Sequence, residues 1–200
     1  DLMERLPNEF APVAIPNDKL APNLAKKGIT MDRAPLVDIG LAALFNQDNP
    51  VVGGYTPDKV ALRRAIALAY DVSKEINLLR RGQAIPAQSV IAPLLSGYDP
   101  AWKSEMSEYD LARAKALLDL YGYTDKNGDG WRDLPDGSPL VLDYDTLSTA
   151  DYRERDEIMK KNFDAVGIRI NYRVGKWPEQ LRASRTGKLI NAASTNRICS

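Results

Sequence analysis

Residues 139–187 alternate between two hydrophobic periods, and this alternation restricts the fold more than any other feature of the chain. Apolar residues recur at every second position over 140–144 and again over 168–174, which is the pattern of half-buried strands. Between them, residues 148–166 follow a helical period that stops at Gly167. A last helix is predicted from Trp177 to about Thr186. Strand, helix, strand and helix in this order predict a βαβ-like unit of an α/β fold.

The part of the chain before this unit is predicted to be helical with long irregular connections. Thr56, Asp71 and Asp110 are suitable N-caps, so helices are expected to begin beside them. These helices should extend over residues 57–70, from 71 to about 81, and 110–121, with glycine stops at 82 and 122. A buried strand is predicted over 36–45, a proline-rich irregular segment over 1–35, and a long connection over 83–109.

The composition argues against several classes of function. The chain has no histidine, so the usual general base and the usual zinc ligand are both missing. Cys199 is the only cysteine, which excludes a disulfide within the chain and a cysteine-based metal site. Basic and acidic residues balance at 27 each, and no apolar run approaches the length of a membrane span. We therefore expect no catalysis, no nucleic-acid partner and no transmembrane segment.

A loop rich in aspartate and glycine matches the twelve-residue pattern of a calcium-binding loop. Oxygen-bearing side chains stand at positions 1, 3, 5, 9 and 12, a glycine stands at position 6, and a main-chain carbonyl is expected at position 7. The predicted calcium ligands are Asp125, Asn127, Asp129, the carbonyl of Trp131, Asp133 and Asp136. The last position is aspartate where glutamate is usual, and a strand is predicted to follow. A polar turn that binds no ion fits the same residues.

Several short motifs occur in a definite order between residues 30 and 187. They are FNQDNP at 45–50, LRRAIALAYD at 62–71, GQAIPA at 82–87, Pro93 with GYDP at 97–100, YDLARAKALL at 109–118 with Gly122-Tyr123, the Asp/Asn/Gly loop, and Gly167-Ile168. Taken together, this set resembles the family 5 extracellular solute-binding proteins, which include receptors for dipeptides, oligopeptides and nickel.

The resemblance implies a fold, a function and a location. It implies an α/β lobe of the type II periplasmic-binding-protein fold, with a mixed sheet covered by helices. It also implies a periplasmic receptor that closes two lobes around a peptide-like solute and delivers it to the permease subunits of an ABC importer. Residues 1–190 would form part of the second lobe, and residues 191–200 are expected to be a non-native or disordered tail. The family's ligand-gripping Tyr-Pro-Asp segment has no counterpart here.

Three residues are candidates for contact with a solute. Asn46 follows a predicted strand, and Tyr98 and Trp102 are aromatic residues on the long connection. Asp143 and Asp145 are expected on a solvent-facing side of their strand. The arginines of two predicted helices are expected on solvated faces; they are Arg63, Arg64, Arg80 and Arg81.

Two alternative functions stay open on the sequence. The Asp/Asn/Gly loop allows a freestanding calcium-binding α/β module, which would bind an ion and have no transport role. The density of aspartates allows a carboxylate-dependent hydrolase, although the absence of histidine argues against it.

Overall fold

The computed structural model describes residues 22–30, 45–80, 82 and 84–186. From residue 57 onward the helices and strands follow one another in the order predicted from the sequence, whereas the short α1 lies in the segment predicted to be irregular. The helices and strands are α1 (Pro22–Ala25), α2 (Pro57–Ala69), α3 (Val72–Leu78), α4 (Leu111–Leu120), β1 (Val141–Leu147), α5 (Ala150–Asp164), β2 (Arg169–Gly175) and α6 (Trp177–Arg185). The predicted strand over 36–45 and the predicted tail over 191–200 lie almost entirely outside the described residues.

The helix boundaries follow from the capping residues. α2 begins with Pro57 at its first position, directly after Thr56, and α4 begins after Asp110, whose side chain accepts a hydrogen bond from the backbone N–H of Arg113. α3 is about three residues shorter than the sequence predicts. Its chain turns back early, because the N–H of Gly82, at a φ of 77°, donates to the carbonyl of Ile76 at 2.9 Å.

The two strands form the parallel βαβ unit that the periodicity predicts. β1 pairs with β2 in register from Val141 opposite Arg169 to Leu147 opposite Gly175, and α5 makes the crossover. Within the described residues this sheet has two strands. Tyr144 and Tyr172 stand opposite each other with their rings edge to face, and the ring centroids are 5.7 Å apart. Such a pair stabilises the sheet beyond the area that it buries.

One apolar core joins the βαβ unit to the upstream helices. The buried face of α2 is the one predicted from its spacing, and it packs with residues of α4, β1 and α5 and with Ile168. The largest fully buried side chains include Leu62, Leu68, Tyr123 and Met159. Val174 is an exception to the strand pattern, because its side chain is 64% exposed at the end of β2. None of the helices in the described ranges combines the length and the apolar character that a membrane crossing requires.

Candidate functional site

Strands β1 and β2 end at the same edge of the sheet, where Thr146 stands opposite Val174 and Leu147 opposite Gly175. α6 begins two residues after β2, at Trp177. In open parallel sheets, ligands bind outside the carboxyl ends of the strands, because loops and helix starts leave a crevice there. This edge is therefore the part of the described structure in which a binding site is expected first.

The side chains that face away from the apolar core at this edge form cross-strand polar pairs. Asp143 accepts a hydrogen bond from Asn171 at 2.7 Å. One register step further, Asp145 Oδ1 accepts from Nε of Arg173 at 3.0 Å and from Nη2 at 2.9 Å. The prediction that Asp145 faces solvent is wrong, since the residue is only 7% exposed. The Arg173 guanidinium lies against its carboxylate and shields it from water.

An open cleft of about 270 Å³ lies beside this ion pair, between the end of β2 and α6. The residues that line it are Asp145, Arg173, Val174, Gly175, Glu179, Gln180 and Ala183. Gln180 ties the helix to the strand edge, because its Nε2 donates to the carbonyl of Thr146 at 2.6 Å. A Cβ atom at Gly175 would lie 3.1 Å from that same amide nitrogen, so a larger residue would displace the Gln180 side chain from this position.

The opposite face of the same strand end carries a second, partly buried carboxylate. Thr146 donates its hydroxyl proton to Oδ2 of Asp156 at 2.6 Å, and the hydroxyl of Tyr172 donates to the Asp156 carbonyl at 2.8 Å. Burial raises the pKa of Asp156 above the usual range of an aspartate. Its Oδ1 is buried and has no hydrogen-bond partner among the described residues. Both faces of this strand end therefore hold a carboxylate with one oxygen that has no hydrogen-bond partner among the described residues.

The three residues predicted to contact a solute do not line this cleft. Asn46 lies in a turn after Phe45, and its Oδ1 accepts from the backbone N–H of Asp48 at 3.0 Å. Tyr98 and Trp102 lie on the long connection before α4 and are 37% and 59% exposed. Their role in ligand binding stays a prediction. The described structure gives each of them an accessible or partly accessible position but does not bring them to the strand edge.

The predicted calcium loop uses its side-chain oxygens to hold its own backbone. Asp125 accepts from the N–H groups of Gly128, Asp129 and Gly130 at 2.7, 3.2 and 2.9 Å, and these bonds lower the pKa of its carboxyl. Asp133 is 2% exposed and accepts from the N–H of Lys126 at 2.9 Å.

The other predicted calcium ligands of the loop also accept hydrogen bonds from residues close to them in the chain. Asn127 accepts from the N–H of Asp129 at 2.8 Å, and Asp129 accepts from the N–H of Trp131 at 2.9 Å. Asp136 accepts from both the N–H and the hydroxyl of Ser138. In the part of the chain that the structure describes, no group of three or more acidic side chains has an arrangement suited to a metal ion. Calcium binding stays a prediction from the sequence pattern.

Two arginines predicted to lie on solvated faces also have structural partners. Arg63 is half-buried, and its Nη1 donates to the carbonyls of Val52 and Gly54 at 2.6 and 2.8 Å. Arg64 is exposed, but it makes two 2.8 Å hydrogen bonds to the carboxylate of Glu105. The first arginine fastens the turn before α2, and the second fastens the end of the long connection.

Sequence reasoning missed the residues that accompany Asp145 in the cleft, namely Arg173, Glu179 and Gln180. A signal was present in the sequence, because two parallel strands that begin in register place Asp145 opposite Arg173. Opposite charges at one register position predict a cross-strand pair. The exact register of two parallel strands, however, is set by the crossover helix and its packing, which the strand patterns alone do not specify.

The fold has clear counterparts among solved structures. The oligopeptide-binding protein AppA of Bacillus subtilis, solved with a nonapeptide, matches with a TM-score of 0.68 and 20% identity over 80% of this chain and 31% of its own. A mannohexaose-bound periplasmic oligopeptide-binding protein of Thermotoga maritima matches with a TM-score of 0.64 and 22% identity, over 82% of this chain and 30% of its own. The chain thus has the α/β fold of a type II periplasmic-binding-protein lobe.

The sequence itself identifies the family. The family model for bacterial extracellular solute-binding proteins, family 5, middle region, matches residues 11–197, so this chain belongs to that family. A curated relative, di/tripeptide-binding protein 2 of Pseudomonas aeruginosa (strain UCBPP-PA14), is 30% identical over 133 residues, which are 66% of this chain and 23% of the relative. The chain therefore spans about a quarter to a third of the length of the proteins that it matches.

Proposed function

We propose that this chain is part of the solute-binding component of an ABC import system and that it contributes one wall of a cleft that closes on a peptide or a similar solute. The wall is the carboxyl edge of β1 and β2 together with the first turns of α6. The observation that carries the proposal is the open cleft beside the Asp145–Arg173 pair, at this edge of a chain that belongs to a solute-binding family.

The chemistry of the described residues supports binding over catalysis. The family is one of binding proteins, and the chain has no histidine to act as a general base at neutral pH. The cleft is open on one side, as expected of a surface that needs a second wall to enclose a ligand. A solute held between two such walls would be released when they separate, which is the cycle that a transport receptor requires.

The proposal includes a location and a partner. The family is described as extracellular. We propose that the full-length protein works in the periplasm and passes its solute to the permease subunits of an ABC importer. Cell fractionation tests the location, since an antibody against this chain should detect the protein in the periplasmic fraction. Detection only in the cytoplasm would contradict the proposed location.

Uptake by the organism that carries the gene tests the transport role. Deleting the gene should abolish or strongly reduce the uptake of labelled dipeptides and oligopeptides, and a plasmid copy should restore it. Uptake of free amino acids is the control, because it should not change. If peptide uptake is unchanged and the uptake of no other solute falls, the proposed function is wrong.

Binding by the chain itself tests the position of the wall. A peptide mixture should cause saturable shifts of backbone amide NMR signals around Gly175 and Gln180, with weak affinity because one wall is insufficient to enclose a solute. Ala183→Phe would fill the cleft and should remove these shifts. Arg182→Phe is the matched control, because Arg182 is exposed on the same helix and does not line the cleft. Micromolar affinity of the chain alone would contradict the idea that a second wall is needed.

A further inference from the structure

The carboxylate of Asp145 has one oxygen that the described structure leaves without a partner. Both N–H groups that Arg173 directs at this carboxylate converge on Oδ1, at 3.0 and 2.9 Å. Oδ2 is buried and has no hydrogen-bond partner among the described residues. The guanidinium fork commonly makes two parallel bonds to the two oxygens of a carboxylate. Here it engages only one, so Oδ2 remains a buried, unpaired acceptor on a residue that lines the cleft.

This unpaired oxygen is costly, which makes an accidental origin a poor explanation. A buried acceptor without a donor destabilises a fold by about 1–3 kcal/mol. Such groups are few in native structures, and each calls for an explanation. Asp145 is more than nine-tenths buried, and it lines the cleft that Glu179, Gln180 and Ala183 border from the helix side.

The charges around the cleft determine what kind of group would complete it. The lining contains two carboxylates, Asp145 and Glu179, and one guanidinium, Arg173, which already pairs with Asp145. Glu179 is exposed, and the described structure shows no hydrogen bond or ion pair for its side chain. The side-chain amide of Gln180 donates to the Thr146 carbonyl. An anion would therefore meet an uncompensated carboxylate here, whereas a cation would be attracted.

We propose that this cleft binds a positively charged N–H donor of the solute, an ammonium or a guanidinium. Oδ2 of Asp145 accepts one of its hydrogen bonds, and Glu179 supplies the second negative charge. Because Oδ2 is buried, the donor reaches it only when the Arg173 side chain, which is 39% exposed, leaves its hydrogen bonds to Oδ1 and swings toward water. The inference rests on the proposed function, because it assumes that the cleft faces the solute.

A matched pair of small probes tests the charge requirement on the chain as it exists. N-acetyl-arginine N-methylamide carries a guanidinium, and the citrulline analogue has nearly the same shape with a neutral ureido group. Titration should give saturable amide NMR shifts at Val174, Gly175 and Gln180 with the arginine probe, and binding of the citrulline probe should be about tenfold weaker or more. Equal binding of the two probes would overturn the inference and leave the proposed solute cleft standing. The absence of a saturable shift with the arginine probe would also overturn it.

Two substitutions connect the effect to the named carboxylates. Asp145→Ala should abolish binding of the arginine probe. Glu179→Gln should weaken it about threefold to tenfold, and since Glu179 is exposed and makes no described contact, this variant tests the inference even if Asp145→Ala does not fold. Glu154→Gln is the matched control, as Glu154 is an exposed glutamate of α5 that does not line the cleft. Unchanged affinity in Glu179→Gln, or an equal loss in Glu154→Gln, would overturn the proposal.

Discussion

Aspartates occur in two contrasting settings in this protein. In the loop over residues 125–136 they are numerous, and each accepts hydrogen bonds from nearby backbone or side-chain groups. At the carboxyl edge of the sheet, Asp145 is a buried carboxylate with one oxygen that has no hydrogen-bond partner among the described residues. The loop attracts attention in the sequence, but its carboxylates already stabilise their own turn. The comparison teaches that a high density of acidic residues does not by itself leave oxygens free for a ligand, because local backbone N–H groups can occupy them.

The largest expected effect is the loss of stability when an aspartate is replaced by alanine, and it should differ between the two settings. Asp133→Ala removes the acceptor of the Lys126 N–H from a position that is 2% exposed, so we expect a loss of about 1–3 kcal/mol in the free energy of unfolding. Asp145→Ala should cost about 1 kcal/mol or less, because Arg173 is partly exposed and can be solvated by water after the loss of its partner. Urea denaturation of both variants measures the difference. Equal losses would show that the carboxylate of Asp145 is as structural as that of Asp133.

Adding calcium tests whether the carboxylates of the loop can bind an ion as well as stabilise their turn. The sequence pattern predicts that millimolar calcium raises the melting temperature. A free calcium concentration of ten times the dissociation constant would add on the order of 1.4 kcal/mol to the free energy of unfolding for one site. Asp129→Ala should abolish this rise. A constant melting temperature with and without calcium would show that the loop carboxylates serve only the turn, and the calcium-module alternative would then be rejected.

Replacing Asp156 by asparagine should change the stability by a smaller amount, and this change should depend on pH. Because burial raises its folded-state pKa, the folded protein binds this proton more tightly than the unfolded chain does. The wild type therefore loses stability as the pH rises from the ordinary value of 3.8 through the raised folded value. Asp156→Asn keeps an acceptor for Thr146 and does not titrate, so its melting temperature should exceed that of the wild type at neutral pH. The gain should shrink toward zero in acid, and a gain independent of pH would contradict this explanation.

The smallest expected change in stability comes from substitutions of Asp129, which separate the contribution of its charge from that of its hydrogen bond in the turn. Asp129→Asn keeps an oxygen for the N–H of Trp131 but removes the ion pair with Arg169, whose atoms are 3.2 Å apart and exposed. We expect a change within about 0.5 kcal/mol, and it should disappear at high salt. Asp129→Ala, which also removes the turn acceptor, should be clearly less stable. If both variants lose the same stability, the charge matters more than the turn.

Much of the fold follows from local patterns in the sequence. The periodicity of residues 139–187 predicts the βαβ unit, and the caps at Thr56, Asp71 and Asp110 predict where three helices begin. These features depend on neighbours along the chain, so the residues specify them without knowledge of the tertiary structure. The ordered motifs also predict the family, which the family model confirms over residues 11–197.

The candidate site could be predicted only in part. The alternating pattern places Asp145 on a strand but predicts a solvent-facing environment for it, and it does not predict which residues of β2 and α6 line the cleft with it. The residues of the cleft come from three elements that are separated in the chain by α5 and by the turn after β2. Burial and unpaired oxygens depend on how these elements pack, and no local pattern contains that information.

The residues alone therefore determined the α/β class, the positions of the main elements, the family and the absence of histidine chemistry. Only the tertiary structure decided that β1 and β2 pair in the register that sets Asp145 against Arg173, and that α6 closes one side of a cleft beside them. The physical reason is the range of the interactions. Caps and hydrophobic periods act over a few residues, whereas the environment of a carboxylate depends on every element that surrounds it.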